Sequence, residues 1–179
     1  MNILISGGSK NGKSYYAQQL AKKQACGGPL YYIATMEPVD KEDHLRIRRH
    51  QAEREGWGFT TIEQGRRICD IQADWKGSFL LDSVTALLSN EMFSSDGTVE
   101  EKAYLHVASD LEAFAQKSGN TVFVSDYIYS DAIHYEKLTE DYRKGLAYID
   151  RTLAAVCDLV IEVAFGNIIL IKGEGAGLL

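Results

Sequence analysis

Short apolar runs alternate with longer segments of helical periodicity along this chain. The runs are Asn2–Ser6, Leu30–Ala34, Phe59–Ile62, Ser78–Leu81, Thr121–Ser125, Leu159–Val163 and Asn167–Lys172. Most are rich in β-branched or aromatic residues, as expected of strands buried on both faces. Helical stretches fit at 14–25, 40–55, 83–93, 99–118 and 139–157. Alternation of this kind predicts an α/β fold, a mostly parallel sheet flanked by helices. Only the last two strands, joined by Ala164-Phe165-Gly166, lie close enough for a C-terminal antiparallel hairpin. With two prolines and no low-complexity tract, residues 1–179 read as one domain with a sizeable core.

What marks this single domain as nucleotide-binding is Gly7-Gly8-Ser9-Lys10-Asn11-Gly12-Lys13-Ser14, directly behind the first apolar run. This is a complete phosphate-binding loop: Gly7, four residues, then Gly12-Lys13-Ser14. Glycines let the backbone curl until successive N–H groups point at one anionic centre. Lys13 places a charge on the β- and γ-phosphates, and the Ser14 hydroxyl suits Mg²⁺. The predicted helix that follows adds the positive end of its dipole. A loop of this kind also needs a carboxylate at the end of a neighbouring strand to reach the metal. Phe79-Leu80-Leu81-Asp82 has that form, although an aspartate after a strand is also a common helix N-cap. Asp126, ending another apolar run, is a weaker competitor for the same role.

Composition narrows the setting. A net charge of −6 argues against a nucleic-acid-coating protein. Cys26, Cys69 and Cys157 are odd in number and widely spaced, which suggests neither a disulfide framework nor a zinc site. No stretch has the length and apolarity of a signal or membrane segment, so a cytoplasmic location is expected.

Against the acidic background, Arg46, Arg48, Arg49 and Arg54 cluster within one short segment. On a helix Arg46, His50 and Arg54 share a face. The segment is either a solvated helix paired with Asp43, Glu53 and Glu55, or a site where arginines collect phosphates while His50 attacks one to form a phosphoramidate. His44, His106 and His134 have no metal-ligand partner at useful spacing. The many tyrosines are more often core than stacking platforms.

Together these pieces resemble the bifunctional adenosylcobinamide kinase / adenosylcobinamide-phosphate guanylyltransferase family of cobalamin synthesis. The matching residues are Gly7 to Ser14, Tyr32-Ile33-Ala34-Thr35, Arg46-Ile47-Arg48-Arg49-His50 with Arg54 and Trp57, Thr61-Ile62-Glu63, Leu81-Asp82-Ser83-Val84-Thr85 with Asn90, Leu153 to Asp158, and Ile171-Lys172-Gly173. The resemblance implies a RecA-like P-loop fold, a homotrimer, and two reactions. One phosphorylates the aminopropanol hydroxyl of the corrinoid adenosylcobinamide. The other moves GMP from GTP onto that phosphate through a guanylylated His50. Catalysis would rest on His50 and Lys13, with ATP and GTP as substrates and Mg²⁺ on Ser14 and Asp82. Nucleotide contacts would fall on Gly7, Gly8, Ser9, Lys10, Asn11, Gly12, Lys13, Ser14, Ala34, Thr35, Met36, Gln51, Ala52, Glu53, Arg54, Glu63 and Asp82, with Arg46 beside them on the triphosphate.

This chain departs from the family pattern in three places. Lys10-Asn11 replaces Arg-Ser, Asp126-Tyr127-Ile128-Tyr129 replaces Asn-Glu-Val-Gly, and Asp150-Arg151 replaces Asn-Gln. The last two lie outside the nucleotide motifs, on the acceptor side. A relative with only one of the two activities or another acceptor, and a non-catalytic nucleotide-binding module, stay open on the sequence.

Overall fold

The computed structural model describes residues 1–174, with the side chains of Arg46 and Glu53 outside the described set. Its strands are β1 (Ile3–Gly7), β2 (Leu30–Ala34), β3 (Thr60–Glu63), β4 (Ser78–Asp82), β5 (Thr121–Asp126), β6 (Leu159–Ala164) and β7 (Asn167–Lys172). They form one sheet in the order β3-β2-β4-β5-β1-β6-β7. Every pairing is parallel except β6 with β7. The helices are α1 (Lys13–Ala25), α2 (Lys41–Glu53), α3 (Val84–Met92), α4 (Ala103–Ser118) and α5 (Lys137–Val156), with a 3₁₀ turn at Ile68–Asp70.

Side chains alternate across the central strands and feed two cores. Ile3, Ile5, Leu80, Val122 and Val124 meet Ala17, Leu20 and Ala21 of α1 on one face. Leu4, Phe79, Leu81 and Phe123 meet α3, α4 and α5 on the other. Both faces are thus covered, the condition under which a parallel sheet reads as unbroken apolar runs. β7 is the exception: Ile169 and Ile171 stay exposed at the sheet edge, and Phe165 in its turn is fully exposed.

Most element boundaries fall within two residues of the sequence reading; one helix start and one cap carry more information. The helix expected from residue 99 begins at Ala103, because Asp96-Gly97 makes a turn that pairs Phe93 with Val99. The Asp96 carboxylate accepts the Thr98 N–H and Gly97 takes φ 85°, so the local backbone is satisfied outside a helix. The second concerns the cap of α3. Ser83 is the N-cap, its hydroxyl accepting the Ala86 N–H at 3.2 Å. Asp82 is the last residue of β4 and is relieved of the capping role.

Parallel strands all present their carboxyl ends on one side. In register terms Gly7 lies beside Asp126 and Val163, and Ala34 lies beside Asp82 and Glu63. The crevice outside those ends is where open α/β sheets bind ligands.

Candidate nucleotide and transfer site

The loop between β1 and α1 is shaped by its glycines. A Cβ on Gly7 would stand 2.6 Å from the Val163 carbonyl, and Gly12 has φ 91°. Both positions therefore demand glycine. Asn11 ties the loop down at both ends, donating from Nδ2 to the Val163 carbonyl and accepting the Lys13 N–H on Oδ1 at 3.1 Å. The Lys13 side chain lies buried beneath the loop. Its Nζ donates to the Gly8 carbonyl at 3.0 Å and forms an ion pair with Asp126.

Ser9 to Ser14 line a cavity of about 660 Å³ together with Arg49, Trp57, Asp82 and Asp126. A second cavity, of about 360 Å³, opens between α2 and the ends of β2, β3 and β4. Ala34, Met36, Gln51, Arg54, Glu63 and Asp82 line it, with Tyr32 and Ile47 as its apolar wall. Met36, His50, Asp82 and Ser83 border both cavities. His50 therefore stands where a phosphate cavity meets a largely apolar one.

Asp82 is held in place by Tyr32, whose hydroxyl donates to Oδ2 at 3.0 Å. Burial pushes the Asp82 carboxyl above the usual range. The Tyr32 hydrogen bond and the nearby His50 pull it back, Asp126 raises it, and Lys13 lowers it. The Arg54 guanidinium lies 3.5 Å from the centre of the Tyr32 ring. A chain of contacts thus runs from the end of α2 through an aromatic ring to the carboxylate that ends β4. Oxygen ligands from Ser14 and Asp82 on one cavity suit Mg²⁺, which takes few protein ligands and completes its shell with water and substrate phosphates. No cluster of metal-ligating side chains is found among the described residues, and a cation bound in this manner needs none.

Most of the expected nucleotide residues converge on these two cavities, but not all. Thr35 is fully buried: its hydroxyl accepts the Ser83 N–H at 2.7 Å and donates to the Ser83 carbonyl at 2.8 Å. It holds the ends of β2 and β4 together rather than facing either cavity. Ala52 is exposed and lines a separate shallow depression with Gly56 and Phe59. Gly7 and Gly8 underlie the loop without lining the cavity. The expectations for the side chains of Arg46 and Glu53 lie outside the described residues. Arg49, adjacent to His50, lines the phosphate cavity, although helical spacing singled out Arg46 and Arg54 instead. The i,i+4 rule selects a face of one helix and is blind to a cavity that wraps around its end.

The two remaining departures from the family pattern prove to be neighbours, and one of them begins at Asp126, which reaches the phosphate loop through Lys13. Tyr129 donates to Asp150 Oδ2 at 2.8 Å, and Ser125 donates to the same oxygen at 3.0 Å. Burial pushes the Asp150 carboxyl up to about 6 despite those two hydrogen bonds. Its Oδ1 has no hydrogen-bond partner among the described residues. The segment 127–136 is then gathered by one buried residue of α5. Arg143 donates to the carbonyls of Ile128, Asp131 and Ile133 and to the carboxylates of Asp131 and Glu140.

Comparison with known proteins fits this geometry. The family described as cobinamide kinase / cobinamide phosphate guanyltransferase matches residues 3–171. The bifunctional adenosylcobalamin biosynthesis protein CobU of Escherichia coli K12 is 26% identical over 186 residues, covering 96% of this chain and 100% of that one. CobP of Pseudomonas aeruginosa, a bifunctional adenosylcobalamin biosynthesis protein, is 26% identical over 97% of this chain and 99% of its own length. In fold the chain is similar to the flagellar accessory protein FlaH of Methanocaldococcus jannaschii, with TM-score 0.52 at 15% identity over 98% of this chain and 79% of that one. A KaiC-like protein of Pyrococcus horikoshii gives TM-score 0.52 at 15% identity over 97% and 79%. The architecture is that of a RecA-like P-loop protein. No described helix is long and apolar enough to cross a membrane. The chain belongs to the cobinamide kinase / cobinamide phosphate guanyltransferase family.

Proposed function

We propose that this chain carries both reactions of its family in one nucleotide-binding domain. It phosphorylates the aminopropanol hydroxyl of adenosylcobinamide with ATP or GTP, then transfers GMP from GTP to the resulting phosphate through a guanylyl-His50. The position of His50 between two cavities supports this reading most directly. Triphosphate on Gly7 to Ser14, with the base in the cavity of Met36, Gln51, Arg54 and Glu63, sets the α-phosphate beside the imidazole. A ring nitrogen attacks the α-phosphorus, the bond to the β-phosphate breaks and pyrophosphate leaves. The acceptor phosphate oxygen then attacks the same phosphorus and the P–N bond breaks, regenerating the histidine. Arg49 and Lys13 supply fixed positive charge where negative charge builds up. Ser14 and Asp82 would hold Mg²⁺, which neutralises charge on the β- and γ-phosphates.

The exposed apolar edge at Phe165, Ile169 and Ile171 supports self-association, and we assign the homotrimer of the family to it. The partners are a corrinoid and nucleotides, with no nucleic acid or membrane surface, in the cytoplasm.

Incubation with α-³²P-GTP and Mg²⁺, followed by denaturation, tests the reading. Acid-labile, alkali-stable label on the protein is the expected result. Label that maps to His44, or that persists in His50→Ala, refutes the choice of nucleophile.

A further inference from the structure

We propose that Tyr32 is a positioning residue that couples the cavity assigned to the base to the carboxylate assigned to Mg²⁺. This role rests on the reading above in which Asp82 serves the metal. It adds that the grip on the metal depends on what fills the base cavity. Register places the two side chains. Tyr32 of β2 lies beside Leu80 of β4, and Asp82 comes two residues further along β4. Alternation along a strand sends Tyr32, Leu80 and Asp82 to the same face of the sheet. A phenol is long enough to cross that diagonal, and its hydroxyl donates to Asp82 Oδ2 at 3.0 Å. Asp82 Oδ1 accepts no hydrogen bond among the described residues. One oxygen therefore fixes the carboxylate, which leaves the other for a water of the metal shell.

The ring that carries this hydroxyl belongs to the base cavity. Tyr32 is 4% exposed, and Tyr32 and Arg54 both line that cavity. The Arg54 guanidinium, itself buried, lies 3.5 Å from the ring centre. Phe59 meets the ring edge to face at 5.9 Å, so the phenol is packed as well as capped. A cation over an aromatic face draws π density toward itself, which makes the O–H a stronger donor in a site shielded from water. A base seated against this wall holds Arg54 on the ring, and the ring holds Asp82. Lys13, His50 and Asp126 also act on Asp82 through their charge. Among the described residues, only Tyr32 both hydrogen-bonds it and lines the base cavity. The coupling is reciprocal: a base that stiffens the stack tightens Mg²⁺, and Mg²⁺ tightens the base-bearing nucleotide by the same factor.

The test uses Tyr32→Phe, which keeps the ring and removes the hydroxyl, and Arg54→Gln, which removes the cation. Both are made singly and together in the full-length protein. Equilibrium dialysis of ³H-GTP across a Mg²⁺ titration gives the Mg²⁺ midpoint, with the Mg²⁺-free Kd measured beside it. Hydrogen bonds to a metal-binding carboxylate contribute about 10–100-fold to metal affinity. The expected result in Tyr32→Phe is a midpoint raised about 10-fold, at the low end of that range, with the Mg²⁺-free Kd unchanged. Arg54→Gln should raise the midpoint too, and should add nothing to it in the Tyr32→Phe background. An unmoved midpoint in Tyr32→Phe, beside a Mg²⁺-dependent wild type, overturns the role of Tyr32. Equal weakening with and without Mg²⁺ would make the hydroxyl part of the cavity wall, and overturns it as well. Additive shifts would separate Arg54 from Tyr32 and overturn the coupling. A wild-type protein whose GTP affinity ignores Mg²⁺ defeats the metal reading itself.

Discussion

Helices α1 and α2 each span 13 residues, and each follows the carboxyl end of a parallel strand. They are anchored in opposite ways. α1 buries Lys13, Ala17, Gln18, Leu20 and Ala21 against the central strands. No described residue of α2 is buried, and its Leu45 is 63% exposed. α2 is held by its ends: Asp40 caps the N-terminus, and Arg54, just past the C-terminus, stacks on Tyr32. The phosphate anchor is thus part of the core, while the proposed nucleophile rides on an element with little apolar contact of its own. Elements of that kind open at low free-energy cost. The difference suits the two tasks, because a phosphate cradle must be preorganised, whereas a histidine that serves two successive partners gains from an element able to shift.

The sharpest way to break the comparison is His50→Ala. Protein labelling by α-³²P-GTP should vanish while phosphorylation of the corrinoid alcohol persists, because phosphorylation is proposed to use the γ-phosphate at Lys13. Loss of both together would show that the two elements do not divide the work. Next in size is Lys13→Ala, which removes a charge common to both steps. Both rates should fall by about 10²–10³, as for other preorganised contacts to developing charge. Steady-state assays of both activities on one preparation decide it.

Stability gives a further handle on the packed half. Folded Asp150 keeps its proton up to about pH 6, whereas an unfolded aspartate loses it near pH 3.9. Between those values the folded state binds more protons, so stability falls as pH rises through the window. The loss amounts to about 2–3 kcal/mol. Urea denaturation at pH 4.5 and pH 7 should show this slope in wild type and a flattened one in Asp150→Asn. An unchanged slope in the variant would remove Asp150 as its source. The smallest effect belongs to the loosely held helix. Asp40→Ala removes a cap worth about 1 kcal/mol. Amide exchange should quicken in α2 and stay the same in α1, with the global unfolding midpoint almost unmoved. A matching drop in global stability would mean that α2 is coupled to the core after all.

Local chemistry made the phosphate loop legible: strand, glycines, lysine and helix all lie within the first 25 residues. The sheet was legible because strands covered on both faces cannot hide their apolar runs. The capping alternative for Asp82 could be dropped only once Ser83 proved to be the cap of α3. What sequence could not show depends on partners distant along the chain. The Lys13–Asp126 pair spans more than half its length. Thr35 belonged to a binding motif by position, yet its hydroxyl is spent on the backbone of Ser83. Tyr129 and Asp150 stood out as separate departures, and only the packing of α5 under β5 makes them one hydrogen-bonded pair.

The Arg143 anchorage has a consequence for how this part of the chain can change. Four hydrogen bonds from one guanidinium gather the segment behind Asp126, three of them ending on main-chain carbonyls, and a fifth goes to Glu140 on α5 itself. Carbonyl acceptors persist whatever side chains the segment carries, so its sequence is free to drift while its path is kept. Residues 127–136 behave as an exchangeable cassette whose main fastener is Arg143, with the Tyr129 hydroxyl on Asp150 and the Tyr135 N–H on Glu140 as lesser ties. A chimera that transplants the cassette into a relative must carry Arg143 with it, and one that leaves the arginine behind moves the letters without the shape.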